Sequence, residues 1–255
     1  MEAKHTHAFT IDSLVGQIQT HLQLGLTSQE AQARLAQHGY NELEERPHPG
    51  FLQLLLGQFG DFLVRLLIIA AIVSLFLQEW IDASAILAID VLNAVLGVSQ
   101  ESKAEQALAA LKKMAAPNAR VIRDGTQQTI PARELAPGDI VLLEAGNYVP
   151  ADMRLIESFN LRIEEASLTG ESVPVNKDAR VVLDKEAPVG DRKNSAFMST
   201  LVSYGRGKGL VTSTGMSTQI GLIAEMLQAT DEEQTPLQRK LEELGKTLGV
   251  VALAV

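Results

Sequence analysis

The sequence predicts a membrane helical hairpin carrying a compact all-β unit with flanking helices, preceded by a small N-terminal helical segment. Three observations point there. Two long apolar runs meet across a short polar tip, Gln78-Glu79-Trp80. The hydrophobic period changes from helical to two near Ala119, and returns to helical after Thr214. The composition is 46% hydrophobic but only 4% aromatic, an aliphatic bias that suits lipid-facing helices joined to a water-soluble part. The 255-residue chain carries a net charge of −9, which argues against a nucleic-acid surface. It contains no cysteine, so disulfide and thiolate chemistry are excluded.

The first residues, "MEAKHTHAFTIDSL", hold no apolar core of signal-peptide length. His5 and His7 have the spacing of a metal pair, but a mobile, solvated terminus is the favoured reading. Ile11, Leu14, Val15, Ile18 and Leu22 fall on one helical face. Thr27 and Glu30 have capping-box spacing for a second helix, which Gly39 stops. Pro47 and Pro49 mark a break.

The first apolar run, Phe59 to Trp80, has the length of about 20 residues that a spanning helix needs. Asp61 and Arg65 lie on one face near its start and can pair, and Arg65 can reach the headgroups. The second run is Ile81 to Val98. The tip between them has no Lys or Arg, whereas Lys103, Lys112, Lys113, Arg120 and Arg123 follow the second run. The positive-inside rule then places both open ends in the cytoplasm. A buried soluble hairpin is the competing reading, disfavoured by so short a polar tip. Asp90 sits mid-membrane, where a carboxylate is costly and a functional candidate by default. A protonated carboxyl, one paired within the helices, or a variant tolerated in an incomplete gene is favoured over an ion-path role. "SQESKAEQALAALKKM" keeps helical spacing beyond the membrane, predicting a cytosolic stalk that ends at Pro117.

"ARVIRDGTQQTI" reads as strand, Asp-Gly turn, strand. "GDIVLLEAG", "DMRLIES" and "LRIEEA" read as further short strands between Gly, Pro and Asn punctuation. "NSAFMSTLVSYGRGKGLVTSTG" reads as strand, turn, strand, with Gly205, Gly207 and Gly209 in a flexible hairpin turn. "YGRGKG" is similar to a phosphate-cradling loop, but it lacks the strand-to-helix context and the Lys-Ser/Thr ending. Asp139 and Asp152 are expected to brace turns through local hydrogen bonds rather than to bind metal. "STQIGLIAEMLQ" is a helix capped by Ser217 or Thr218, and "ATDEEQTP" a polar linker. Only nine residues follow Lys246, so the chain is expected to stop inside a third membrane helix. The organisation expected is therefore 1–50 helical segment, 51–118 membrane hairpin and stalk, 119–230 β-unit, and 231–255 linker and truncated third helix.

A family resemblance rests on motifs in order. "APGDIVLLEAGNYVPADMRLIE" is followed by "EEASLTGESVPVNK", then by "NSAFMSTLVSYGRGKGLVTSTGMSTQIG" and "TPLQRKLEELG". This resembles the actuator domain of P-type ATPases. "YNEL", the stalk "NAVLGVSQESKAEQALAALKK" and the entry to the third helix resemble the calcium-pump branch of type II. The resemblance covers residue 10 to the end. It implies a distorted jelly-roll-like β-sandwich in an integral, multi-pass membrane protein, with actuator and N-terminus cytoplasmic. It also implies an ATP-driven cation pump, with calcium the first expectation for the ion. ATP and Mg²⁺ would serve the full-length protein, with none bound by this fragment. The expected partners are the bilayer, the transported cation, and the missing phosphorylation, nucleotide-binding and later membrane segments; no nucleic acid is expected. In the family, the Thr-Gly-Glu-Ser loop swings in after an aspartate elsewhere is phosphorylated. The resemblance thus makes Glu171 the group that activates water, Gly170 the residue that admits the loop to the phosphate, and Thr169 and Ser172 nearby hydrogen-bonding groups. As an isolated motif, "LTGES" would read as a solvated turn; the whole run of motifs carries the assignment. A reading of a different class is a non-catalytic, membrane-anchored β-module that binds or regulates an intact pump.

Overall fold

The computed structural model describes residues 5–44, 50, 55–56, 62–114 and 117–228, with isolated positions between 237 and 251. The chain divides into two compact units, Met1–Glu45 with Ala116–Thr230, and Arg46–Ala115 with Asp231–Val255. The expected third membrane helix, the Asp61–Arg65 pair and the polar linker "ATDEEQTP" lie outside the described residues.

In the first unit, helix α1 (Ile11–Ile18) is capped by Thr10 and ends at Gln19, whose φ is 57°. Helix α2 (Ser28–His38) has the expected capping box: Thr27 accepts from the Glu30 amide while Glu30 accepts from that of Thr27. The β-unit is all antiparallel. Its strands are β1 (Asn118–Arg123), β2 (Thr126–Pro131), β3 (Ile140–Glu144), β4 (Asp152–Glu164), β5 (Val175–Asn176), β6 (Ser195–Ala196) and β7 (Leu201–Ser213). They form one seven-stranded sheet in the order β2-β1-β3-β7-β4-β5, with β6 beside β4. A one-turn helix α5 (Ala166–Thr169) follows β4, and helix α6 (Gln219–Gln228) closes the unit.

Alternation explains the two apolar faces. Val121, Val141, Leu143, Met153, Leu155, Ile163 and Val211 build the main core. Their neighbours Ile140 and Leu210, paired across β3 and β7, point the other way and meet Leu14 of α1. Helix α1 therefore packs on the second face of the sheet. Thr20 donates to the Gly138 carbonyl at 2.7 Å, and Arg34 to that of Pro137 at 2.8 Å. Asn41 joins three segments, donating to the Ala132 and Pro150 carbonyls and accepting from the Gly215 amide.

Several expectations are corrected. "DMRLIES" and "LRIEEA" form one 13-residue strand, β4. Asn160, at φ 49°, falls where the β4–β7 register shifts, so it marks a bulge rather than a chain end. "YGRGKG" lies inside β7 and is no hairpin turn. Gly205 has φ 80°, and a Cβ on it would strike the Phe159 and Asn160 carbonyls; Gly209 lies hard against the Met153 side chain. These glycines serve close strand approach. The His5–His7 stretch is docked rather than solvated. His7 is buried, the rings of both histidines contact the Lys185 carbonyl at 3.1 Å, and Leu183 donates to the His7 carbonyl. Asp139 does brace its turn, accepting from the Ala136 amide, but it also binds Arg123 through both oxygens. Asp152 acts over long range instead, accepting from the amides of Met198 and Gln219. Thr218, not Ser217, caps α6, accepting from the Gly221 amide.

The second unit holds helices α3 (Phe62–Phe76) and α4 (Trp80–Met114), which pack together. Residues Trp80–Gln100 of α4 are long and apolar enough to cross a membrane, with mean hydropathy 1.8. The apolar part of α3, Val64–Phe76, is shorter than a full span. Ala71, Ala83, Ala94 and Val98 lie buried, while Ile69, Val73, Phe76, Ile81, Ile89, Val91 and Val95 face outward. Helix α4 runs unbroken for 35 residues, through the segment read as a stalk. Asp90 is buried and, among the described residues, neither carboxylate oxygen has a hydrogen-bond partner; of the alternatives to an ion-path role, pairing within the helices is not seen there.

Candidate functional site

The loop between β4 and β5 presents the residues singled out in the sequence. Strand β4 pairs with β5 through Arg162 with Asn176 and Ile163 with Val175, so residues 165–174 leave the sheet and return beside it. Helix α5 forms the near side of this excursion. Glu165 stands at its N-cap, and its carbonyl accepts from the Leu168 and Thr169 amides. Gly170 ends the turn with φ 76°, its amide donating to the Ala166 carbonyl at 3.0 Å. A side chain at that φ costs about 1–2 kcal/mol, although the space a Cβ would enter is open. Glycine therefore serves the backbone conformation first; the freedom to approach a ligand comes with it.

The structure brings Thr169, Gly170 and Glu171 together and leaves Ser172 on the exposed rim. The Thr169 hydroxyl donates to the Glu165 carbonyl at 3.1 Å and accepts from the Glu171 amide at 3.3 Å. Its donor is spent inside the loop, so Thr169 fixes the backbone of Glu171. Glu171, Ser172, Val173 and Pro174 are all exposed. The Glu171 carboxylate thus stands on the surface with its backbone held from below. It can accept a proton or a hydrogen bond from a water on a second body brought against the loop.

Beneath the loop lies a charged pair that the motif reading did not assign. Lys177 Nζ lies 2.6 Å from Glu165 Oε1, with both side chains fully buried. The same ammonium lies 3.4 Å from the Arg192 carbonyl and 5.5 Å from the Phe197 ring centroid. Burial pushes the Glu165 carboxyl up and the Lys177 ammonium down; each partner's charge opposes that for the other. Strand alternation was the available signal. Leu161, Ile163 and Glu165 point inward in turn, which distinguishes Glu165 from its more accessible neighbour Glu164.

Other buried charges lie in the same unit. Arg154 donates to the carbonyls of Leu155, Ala179, Asn194 and Val181, and burial lowers its pKa to about 10. Burial raises the Asp152 carboxyl to about 6 despite its two amide donors. Among the described residues, no group of three His, Asp or Glu could hold a metal ion.

The chain is similar to known proteins over most of its length. Residues 113–228 match the family model for the P-type ATPase actuator domain, and residues 6–74 match that for the cation transporter/ATPase N-terminus. The chain is 53% identical over 250 residues to calcium-transporting ATPase 1 of Bacillus cereus, covering 96% of this chain and 28% of the relative. It is 47% identical to a calcium-transporting ATPase of Bacillus subtilis, covering 92% and 26%. It is 45% identical to P-type sodium-transporting ATPase4 of Toxoplasma gondii, covering 91% and 17%. The chain thus spans about a quarter of the length of the curated bacterial relatives it matches.

Proposed function

The chain belongs to the P-type cation-transporting ATPases and carries their actuator domain, and on that premise we propose that Glu171 activates the water that removes the phosphoryl group from an aspartyl-phosphate held elsewhere in the pump. Water oxygen bonds to phosphorus as the bond to the aspartate oxygen breaks. Glu171 takes the water's proton, and inorganic phosphate and a free aspartate carboxylate result. The observation that supports this most is the Thr169 hydroxyl. It ties the Glu171 amide to the carbonyl of Glu165, holding an exposed carboxylate on a fixed backbone. Gly170 sets the turn, Thr169 holds it, and Ser172 lies exposed beside the carboxylate.

The intact protein would couple ATP hydrolysis to cation transport, with calcium favoured by its similarity to calcium-transporting ATPases of bacteria. ATP and Mg²⁺ would act at the phosphorylation and nucleotide-binding segments. The described residues offer no cluster for a metal. The lysine and arginine asymmetry across the hairpin supports a cytoplasmic actuator and N-terminus. We assign residues 1–50 to the N-terminal helical segment, 51–118 to the hairpin and stalk, 119–230 to the actuator, and 231–255 to the linker and entry to a third helix. This chain alone is expected to lack ATPase activity.

The test is Glu171→Gln in the full-length pump. The amide keeps the shape and removes the base. Phosphoenzyme should form from labelled ATP at the wild-type level and then decay about 10²–10⁴-fold more slowly in a chase with unlabelled ATP. Wild-type decay at wild-type phosphoenzyme level would remove Glu171 from this role.

A further inference from the structure

We propose that the buried Glu165–Lys177 pair is a positioning device that sets the height and angle of the Glu171 loop. The inference rests on the reading of Glu171 above and extends it to two residues that touch no reacting atom. Glu165 and Lys177 flank the loop in sequence, and their side chains meet beneath it at 2.6 Å with no exposure to solvent. Each end is fixed independently. The Lys177 amide donates to the Leu161 carbonyl at 2.9 Å, and its ammonium reaches the Arg192 carbonyl. At the other end, the Glu165 carbonyl accepts the Thr169 hydroxyl that in turn holds the Glu171 amide. Displacing Glu165 therefore displaces Glu171 through two hydrogen bonds.

The loop also has a floor. The short turn Val189–Asp191 contacts α5, and a Cβ on Gly190 would stand 3.2 Å from Thr169 Cγ2. Lys177 bonds to Arg192, immediately after that turn, so the ion pair ties the loop's two roots and its floor together. A buried ion pair is seldom worth its desolvation as a stabilising element, and well-packed apolar residues often replace one without loss. That property separates positioning from stability in an experiment.

The test is the double variant Glu165→Met/Lys177→Met in the full-length pump, beside Glu171→Gln. Hydrogen exchange of the β4 and β7 amides should show a wild-type core. Phosphoenzyme should form at the wild-type level and decay about 10–100-fold more slowly, the effect expected of a carboxylate displaced by about an ångström. Glu165→Asp keeps the charge pair, leaves no buried charge uncompensated, and shortens the reach by one methylene; it should fold and slow decay about fivefold. Wild-type decay in a folded double variant, or in Glu165→Asp where the double variant does not fold, overturns the positioning role. If Glu171→Gln is slow in that same set, the reading of Glu171 stands. Wild-type decay in Glu171→Gln overturns both.

Discussion

Replacing Arg154 by methionine should destabilise the β-unit by about 3 kcal/mol. Arg154 is buried and faces carbonyl groups rather than a carboxylate: Leu155, Ala179, Asn194 and Val181, at 2.8 to 3.1 Å. Two of these keep another donor in the variant. The Asn194 carbonyl still receives the Leu155 amide, and that of Val181 the Asn194 side chain. The Leu155 and Ala179 carbonyls lose a charged donor, at about 1–3 kcal/mol each, with a further 1 kcal/mol or so for each weakened acceptor. Against this gross cost of about 4–8 kcal/mol stands the relief of burying a charge. A pKa held at about 10 instead of 12.5 corresponds to about 3 kcal/mol. The carbonyl network wins by a few kcal/mol. At neutral pH, well below both values, the guanidinium is charged folded and unfolded, so this cost is constant there. Hydrogen exchange of the slowest β4 and β7 amides in the full chain reads the free energy directly, and residues 179–195 should lose protection first. Arg154→Lys, with fewer donors and a different geometry, should fall between. A methionine variant as stable as the wild type would refute the reasoning, because the carbonyl bonds would then contribute no more than the charge costs.

Asp152 should give the β-unit a pH dependence of opposite sense to an ordinary paired carboxylate. Its folded pKa is raised from 3.8 to about 6 by burial. The folded state thus holds the proton longer, and stability is greatest below about pH 4 and falls by about 3 kcal/mol as pH rises through 6. Asp152→Asn should flatten that part of the profile, measured by urea unfolding across pH, and an unchanged slope would assign it to other groups. Asp90→Leu should favour membrane insertion of α4 by about 3 kcal/mol, since Asp at the centre of a spanning helix is penalised by about that much. A glycosylation-mapped insertion assay reads this as a higher inserted fraction, and equal insertion would place Asp90 away from the apolar centre.

What was legible in the sequence was local. The Thr27–Glu30 capping box, the Asp124-Gly125 turn with both φ positive, and the helical face of Leu14 are each set by residues a few places apart. The long strands were hidden because Asn160 and Gly205 look like chain punctuation. Their positive φ values serve a bulge and a close approach inside continuous strands. The buried polar groups were hidden for another reason. Asn41 meets partners 91, 109 and 174 residues away, and Asn194 binds the His7 carbonyl 187 residues away. No periodicity reports such pairs. The loop itself was legible by its motif, but the ion pair beneath it was visible only as an inward position in an alternating strand.

The buried charges converge on one stretch of chain, and this gives them a common purpose. Between Val189 and Met198, the backbone or side chains meet Thr169 through Gly190, Lys177 through the Arg192 carbonyl and the Phe197 ring, Arg154 through the Asn194 carbonyl, and Asp152 through the Met198 amide. The Asn194 side chain carries the same stretch to His7. Apolar packing alone would leave such an irregular segment weakly specified, since its carbonyls and amides need partners that neighbouring strands do not supply. Full-charge donors and acceptors fix it in place at a cost in desolvation. The segment in turn supplies the floor on which the Thr169-Gly170-Glu171 turn rests. On the proposed role of Glu171, an exposed carboxylate that meets a reacting group on another body can be rigid only if its support is rigid. The paired and hydrogen-bonded charge behind the loop would supply that rigidity while leaving the exposed face open.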